Sequence, residues 1–149
     1  MKLCLIGHSF KYELEKLIRI FLPFEKIEFA EEAADGDGTA VTRLDKTADK
    51  TVLSALLLIN GKSYNKSYEL SNDAVDYNNE CERLLAVALY DCFVSASGYV
   101  PEWGILTGVR PAKLFSRLAA ENGEANAENW FKNALKVGDE KISLCRSTV

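Results

Sequence analysis

Residues 51–59 and 63–70 read as two strands joined by Asn60-Gly61, and this pair limits the possible folds of the chain more than any other feature. A two-residue hairpin turn of type I′ needs φ > 0 at both central positions. Asparagine tolerates that conformation and glycine adopts it freely, so Asn-Gly between two such runs specifies an antiparallel pair. Residues 53–59 are apolar on both faces, apart from Ser54, and belong inside a sheet. In the second strand Tyr64, Tyr68 and Leu70 point one way while Ser63, Asn65, Ser67 and Glu69 point the other. That alternation fits an edge or one-sided strand.

Elements on either side extend the hairpin into an α+β fold. Leu3-Cys4-Leu5-Ile6 is a short apolar run of the buried-strand kind. Ser9 is placed to cap a helix striped by Phe10, Leu14, Leu17, Ile18 and Phe21, with Pro23 ending it. Residues 26–30 alternate as a half-buried strand, which gives a β-α-β start, and a further strand is expected over 39–44. From residue 75 the period turns helical. Val75, Cys81, Leu84, Leu85, Ala88, Leu89, Cys92 and Phe93 cover so wide an arc that the helix over 75–96 should be central, ending at Ser95, Ser97 and Gly98. Leu114, Phe115, Leu118 and Ala119 stripe a shorter helix closed by Gly123. Asn126 is placed to cap another, carrying Ala127, Trp130, Phe131, Ala134 and Leu135 and stopped by Gly138, and a last helix begins near Asp139. The expectation is one α+β domain over 1–149, with a mixed sheet in residues 1–71 and a helical half in 72–149.

Composition bounds the function. Hydrophobic residues make up 48% and charged residues 27%, as in ordinary globular domains. A net charge of −4 argues against nucleic acid or an anionic membrane as the main partner, since both need a basic face. No apolar run approaches the ~20 residues of a membrane span, and the apolar N-terminus is too brief for a secretory signal. A cytoplasmic protein with reduced thiols is expected. Cys81 and Cys92 would share a helix face yet lie ~16 Å apart along its axis, beyond disulfide reach. The acidic turn over 31–38 lacks the ligand spacing of a calcium loop and reads as solvated. Asn65-Lys66-Ser67 matches a glycosylation sequon, with nothing else implying secretion.

Intrinsic chemistry is thin. His8 is the only histidine and follows the first strand, where active sites do occur, but it has no evident partner in sequence. Tyr12, Tyr64, Tyr68 and Tyr77 fit either core and edge packing or a surface for a flat ligand. Phosphate-loop, nucleophile-elbow and paired-histidine metal motifs are missing.

The segment Pro101-Glu102-Trp103-Gly104-Ile105-Leu106-Thr107-Gly108-Val109-Arg110-Pro111-Ala112-Lys113-Leu114 is longer than a connector between two helices needs. Gly104 and Gly108 suit φ > 0, and Pro111 suits the first position of a helix. Thr107, Gly108 and Val109 then precede a helix N-terminus, where free N–H groups and the macrodipole favour an anion. Arg110 and Lys113 add positive charge. Two readings stand side by side: a structural turn built on Trp103, Gly104 and Pro111, or an anion or interdomain contact made by Thr107, Gly108, Arg110 and Lys113.

The run from Trp103 to Pro111, followed by Lys113-Leu114, resembles a segment of the HemZ-type coproporphyrinogen dehydrogenases. These are relatives of oxygen-independent coproporphyrinogen III oxidase in the radical-SAM superfamily. The family segment reads roughly Pro-Trp-Gly-Ile-Leu-Thr-Gly-Ile-Arg-Pro-Thr-Lys and lies upstream of the catalytic barrel. Here Glu102 is inserted between Pro101 and Trp103, and Ala112 stands where threonine is usual. Val137-Gly138-Asp139-Glu140-Lys141-Ile142-Ser143-Leu144 resembles the family's next helix. The likeness is specific over residues 99–146 and extends to residues 1–98 only in element order.

The resemblance implies an N-terminal accessory region of a longer radical-SAM oxidoreductase. The parent family acts in haem biosynthesis, oxidatively decarboxylating two propionates of coproporphyrinogen III with a [4Fe–4S] cluster and S-adenosylmethionine. Such a cluster takes three thiolates, typically as Cys-x3-Cys-x2-Cys. Cys4, Cys81, Cys92 and Cys145 have no such spacing, so no cofactor and no metal site are expected in this chain. Its implied role is docking or substrate-side contact, with the barrel of the same full-length chain as partner and tetrapyrrole carboxylates as possible ligands. The alternative is a stand-alone soluble binding module without catalytic activity.

Overall fold

The computed structural model describes residues 1–107 and 110–147. The fold is α+β, and the chain divides into two compact units, Met1–Tyr99 and Val100–Val149.

The first unit is a five-stranded mixed sheet in the order β2-β1-β3-β4-β5. Its strands are β1 (Lys2–Ile6), β2 (Glu28–Ala30), β3 (Thr39–Lys46), β4 (Thr51–Ile59) and β5 (Lys62–Leu70). β1 pairs in parallel with both β2 and β3, and β3, β4 and β5 run antiparallel to one another. Asn60 and Gly61 have φ of 55° and 73°, as the type I′ turn requires. β4 lies between β3 and β5, in the interior position its apolar run calls for. Its burial nevertheless alternates: Leu53, Ala55 and Leu57 are buried while Ser54, Leu56 and Leu58 are only half-buried. The run is apolar on both faces, but only one face is sealed. β5 is an edge strand, with Tyr64, Tyr68 and Leu70 half-buried and the residues between them exposed.

Helix α1 (Lys11–Phe21) and helix α2 (Tyr77–Ser97) complete this unit, with α2 packed against β3, β4, β5 and α1. α2 buries residues around most of its circumference, from Cys81 and Leu84–Leu85 to Cys92 and Phe93. Phe21 of α1 stacks on Phe93 with ring centroids 5.0 Å apart. Gly98, at φ 73°, ends α2 by donating its N–H to the Val94 carbonyl. Val75 is not part of the helical stripe; it precedes the helix and is 91% exposed. Ser9 does not cap α1 either. The helix starts at Lys11, Phe10 occupies the cap position, and the Phe10 N–H is taken by the His8 ring.

The second unit comprises α3 (Pro111–Asn122), α4 (Glu124–Asn129), a π-helical turn over Trp130–Ala134 and α5 (Asp139–Ser147). Phe115, Phe131, Val137, Ile142 and Cys145 belong to its core, where Phe115 meets Phe131 edge to face at 5.2 Å. Asn126 does not cap a helix. Gly123 at φ 91° breaks the chain earlier, α4 begins at Glu124, and the Asn126 amide donates to the Asn122 carbonyl from inside the helix.

Candidate anion-contact site

The second unit's turn is fixed by backbone contacts. Gly104 has φ 60°, and a Cβ there would overlap the Leu135 carbonyl and the backbone of Lys136. Only glycine fits. The Ile105 N–H donates to the Leu135 carbonyl at 2.9 Å, and the Gly138 N–H donates to the Glu102 carbonyl at 2.8 Å. Trp103 packs on the core of this unit. Lys141 holds its ammonium 5.5 Å above the indole and 3.3 Å from the Glu102 carboxylate. Glu102 therefore joins an ion pair, and Gly104 and Trp103 take part in the turn and its packing.

Pro111 occupies the first turn of α3 with Arg110 as extended N-cap. Arg110 and Lys113 are exposed and Thr107 is half-buried; Gly108, read above with them, lies outside the described residues. Arg110, Lys113, Leu114 and Arg117 line a hollow of about 460 Å³. Arg117 escaped the sequence reading, although its spacing of four residues from Lys113 puts those two cations on one face of α3, with Arg110 just before the helix. Among the described residues none of the three has a carboxylate partner. In the same unit Lys132, Lys141 and Arg146 each meet one. Cations at a helix start oppose the macrodipole, and like charges one turn apart repel. α3 carries both penalties, with no acidic residue in its first turn to offset them.

Several polar groups of the first unit are committed to internal hydrogen bonds. The Thr42 hydroxyl donates to the Cys4 carbonyl at 2.9 Å, so its oxygen accepts from His8 Nε2 at 2.9 Å, while His8 Nδ1 accepts the Phe10 N–H at 3.2 Å. The ring is thereby the neutral Nε2–H tautomer, and burial lowers its pKa. Tyr68 donates to the Asp91 carboxylate, and Tyr77 shares a hydrogen bond with Thr51 at 2.6 Å. Both tyrosines join α2 to the sheet, whereas Tyr12 is 67% exposed. Cys4, Cys81, Cys92 and Cys145 are buried. Burial raises the thiol pKa of Cys81 and Cys145 and pushes that of Cys92 up to about 11. Protonated thiols are poor metal ligands and poor nucleophiles. Asp37, in the acidic turn, accepts the Gly61 N–H at 2.9 Å and braces the hairpin. Among the described residues no three His, Cys, Asp or Glu side chains are grouped to hold a metal ion, and no helix is long and apolar enough to cross a membrane.

In comparisons with known proteins, no family model, curated protein or solved structure matches this chain.

Proposed function

We propose that this chain is the N-terminal accessory region of a radical-SAM enzyme resembling oxygen-independent coproporphyrinogen III oxidase. Its role is to supply docking or substrate-side contacts to carboxylates, not the reacting groups. The observation that carries the reading is the set of cations at the start of α3 that have no carboxylate partner among the described residues, directly after the turn whose residues bear the resemblance. On this reading the [4Fe–4S] cluster and S-adenosylmethionine belong to the parent's barrel.

Arg110→Ala tests the assignment. A charge-assisted contact is worth ~1.5–3 kcal/mol, so coproporphyrinogen turnover by the full-length protein should fall about tenfold or more. The melting temperature of the 149-residue chain should not move. Unchanged turnover makes Arg110 a bystander; an unfolded variant makes the segment a structural corner only. The second reading, a stand-alone binding module, uses the same exposed cations. A native reading frame without a Cys-x3-Cys-x2-Cys segment would favour it.

A further inference from the structure

The sheet of the first unit has one face under α2, because Tyr68, opposite Leu53, reaches Asp91 of that helix. On the other face the cross-strand register sets Arg43, Ser54 and Ser67 directly opposite one another. The row beside it is Val41, Leu56 and Asn65. All six residues line one hollow of about 390 Å³. It therefore offers a polar row and a largely apolar row side by side.

Arg43 is the residue in this hollow that calls for a ligand. Three lysine or arginine side chains of the first unit are half-buried: Lys11, Arg43 and Arg83. Lys11 holds its ammonium 5.3 Å from the Tyr12 ring and 5.1 Å from the Phe29 ring, and Arg83 pairs with Glu80. Among the described residues Arg43 has no ion pair, hydrogen bond or ring contact. Its own row holds hydroxyls, not carboxylates. The acids of β3 and β5 on this face, Asp45 and Glu69, stand one row further on, either side of Val52, and Glu69 is taken by Lys50. A charge partly withdrawn from water is costly unless it is paired. A guanidinium fork accepts carboxylate or phosphate oxygens two at a time.

We propose that this sheet face binds a small oxyanion carried on an apolar group. Arg43 takes the carboxylate or phosphate head, the Ser54 hydroxyl opposite donates to it, and Val41 and Leu56 take the apolar body. β5 lies ~10 Å from β3, two strand spacings away, so Ser67 and Asn65 meet the far side of the ligand. Lys66 also lines the hollow, but it alternates to the α2 face and holds its ammonium 5.6 Å from the Tyr68 ring. The site is independent of the contact proposed for Arg110 and Lys113.

The test follows backbone amide shifts by NMR as the whole chain is titrated with hexanoate, hexyl phosphate, hexanol and inorganic phosphate. Hexanoate or hexyl phosphate should shift the amides of Arg43, Ser54 and Leu56, and salt should weaken the binding. Whichever binds tighter identifies the head group. Hexanol and inorganic phosphate, each carrying half of the ligand, should bind about tenfold more weakly or worse. Arg43→Gln should weaken the charged ligand about tenfold, as loss of a charge-assisted contact does. Ser54→Ala should weaken it about threefold and stands in if Arg43→Gln does not fold. Hexanol or inorganic phosphate binding as tightly as the amphiphiles overturns the proposal, as does unchanged binding by Arg43→Gln or no binding at all. Shifts confined to residues 110–117 also overturn it, and leave the α3 contact standing.

Discussion

The two units differ in what joins their elements. In the first, polar side chains close interior contacts: Tyr68 with Asp91, Thr51 with Tyr77, His8 with Thr42. The first two join α2 to the sheet and the third ties the loop after β1 to β3, and losing one partner would leave the other short of a hydrogen bond. In the second unit, apolar packing around Phe115 and Phe131 supplies the core, and Arg110, Lys113 and Arg117 have no carboxylate partner among the described residues. The lesson is that charges can be sorted by whether folding already uses them. Those that folding does not use are the better candidates for recognition.

The largest expected effect tests whether the units are separate cooperative bodies. Phe115→Ala should cost ~3–5 kcal/mol and Leu57→Ala ~2–5 kcal/mol, as both side chains are fully buried. Under hydrogen exchange, Phe115→Ala should first expose amides of α3 to α5, and Leu57→Ala those of β3 to β5. If either change raised exchange equally through both units, the comparison would break.

Next in size is Gly104→Ala. An alanine Cβ would overlap the Leu135 carbonyl and the Lys136 backbone, so the turn must shift, and a stability loss of ~1–3 kcal/mol by denaturant unfolding is expected. A loss near zero would show that the turn can relax and that Gly104 is not required there.

The smallest effect is a pH dependence in the first unit. Burial lowers the His8 pKa below its ordinary 6.5, and both ring nitrogens are already committed, Nδ1 as an acceptor. The folded state therefore favours the neutral ring. Its contribution is complete above pH 6.5 and is lost as pH falls through the lower folded value. Stability should drop across that window with uptake of one proton, and His8→Gln should flatten the slope there. An unchanged slope would remove His8 from the interior network.

Where a backbone rule acts alone, the sequence was enough to read the fold. Asn60-Gly61 fixed the hairpin because only φ > 0 at both positions closes it, and Gly98 ended α2 for a similar reason. Helix starts were less legible. A cap depends on which acceptor reaches the first N–H groups, and at α1 no side chain does: Phe10 holds the cap position and its own N–H goes to the His8 ring. At α4 the conformation of Gly123 overrode the side chain of Asn126. The half-open face behind Leu56 and Leu58 was hidden because hydropathy records what a strand offers, not what covers it. At the candidate site, Arg110, Lys113 and the Trp103-Gly104 turn could be located from residue types. Arg117 was legible from its four-residue spacing to Lys113, but that it meets no carboxylate among the described residues was not, because pairing is a tertiary property.

The four buried cysteines turn the molecule into its own recorder. An alkylating reagent reaches a thiol only when the surrounding chain opens, so labelling counts opening events instead of surface area. Cys4, Cys81 and Cys92 lie in the first unit and Cys145 in the second. Mass spectrometry of partly labelled protein would therefore time the breathing of each unit separately, in one sample and without any introduced probe.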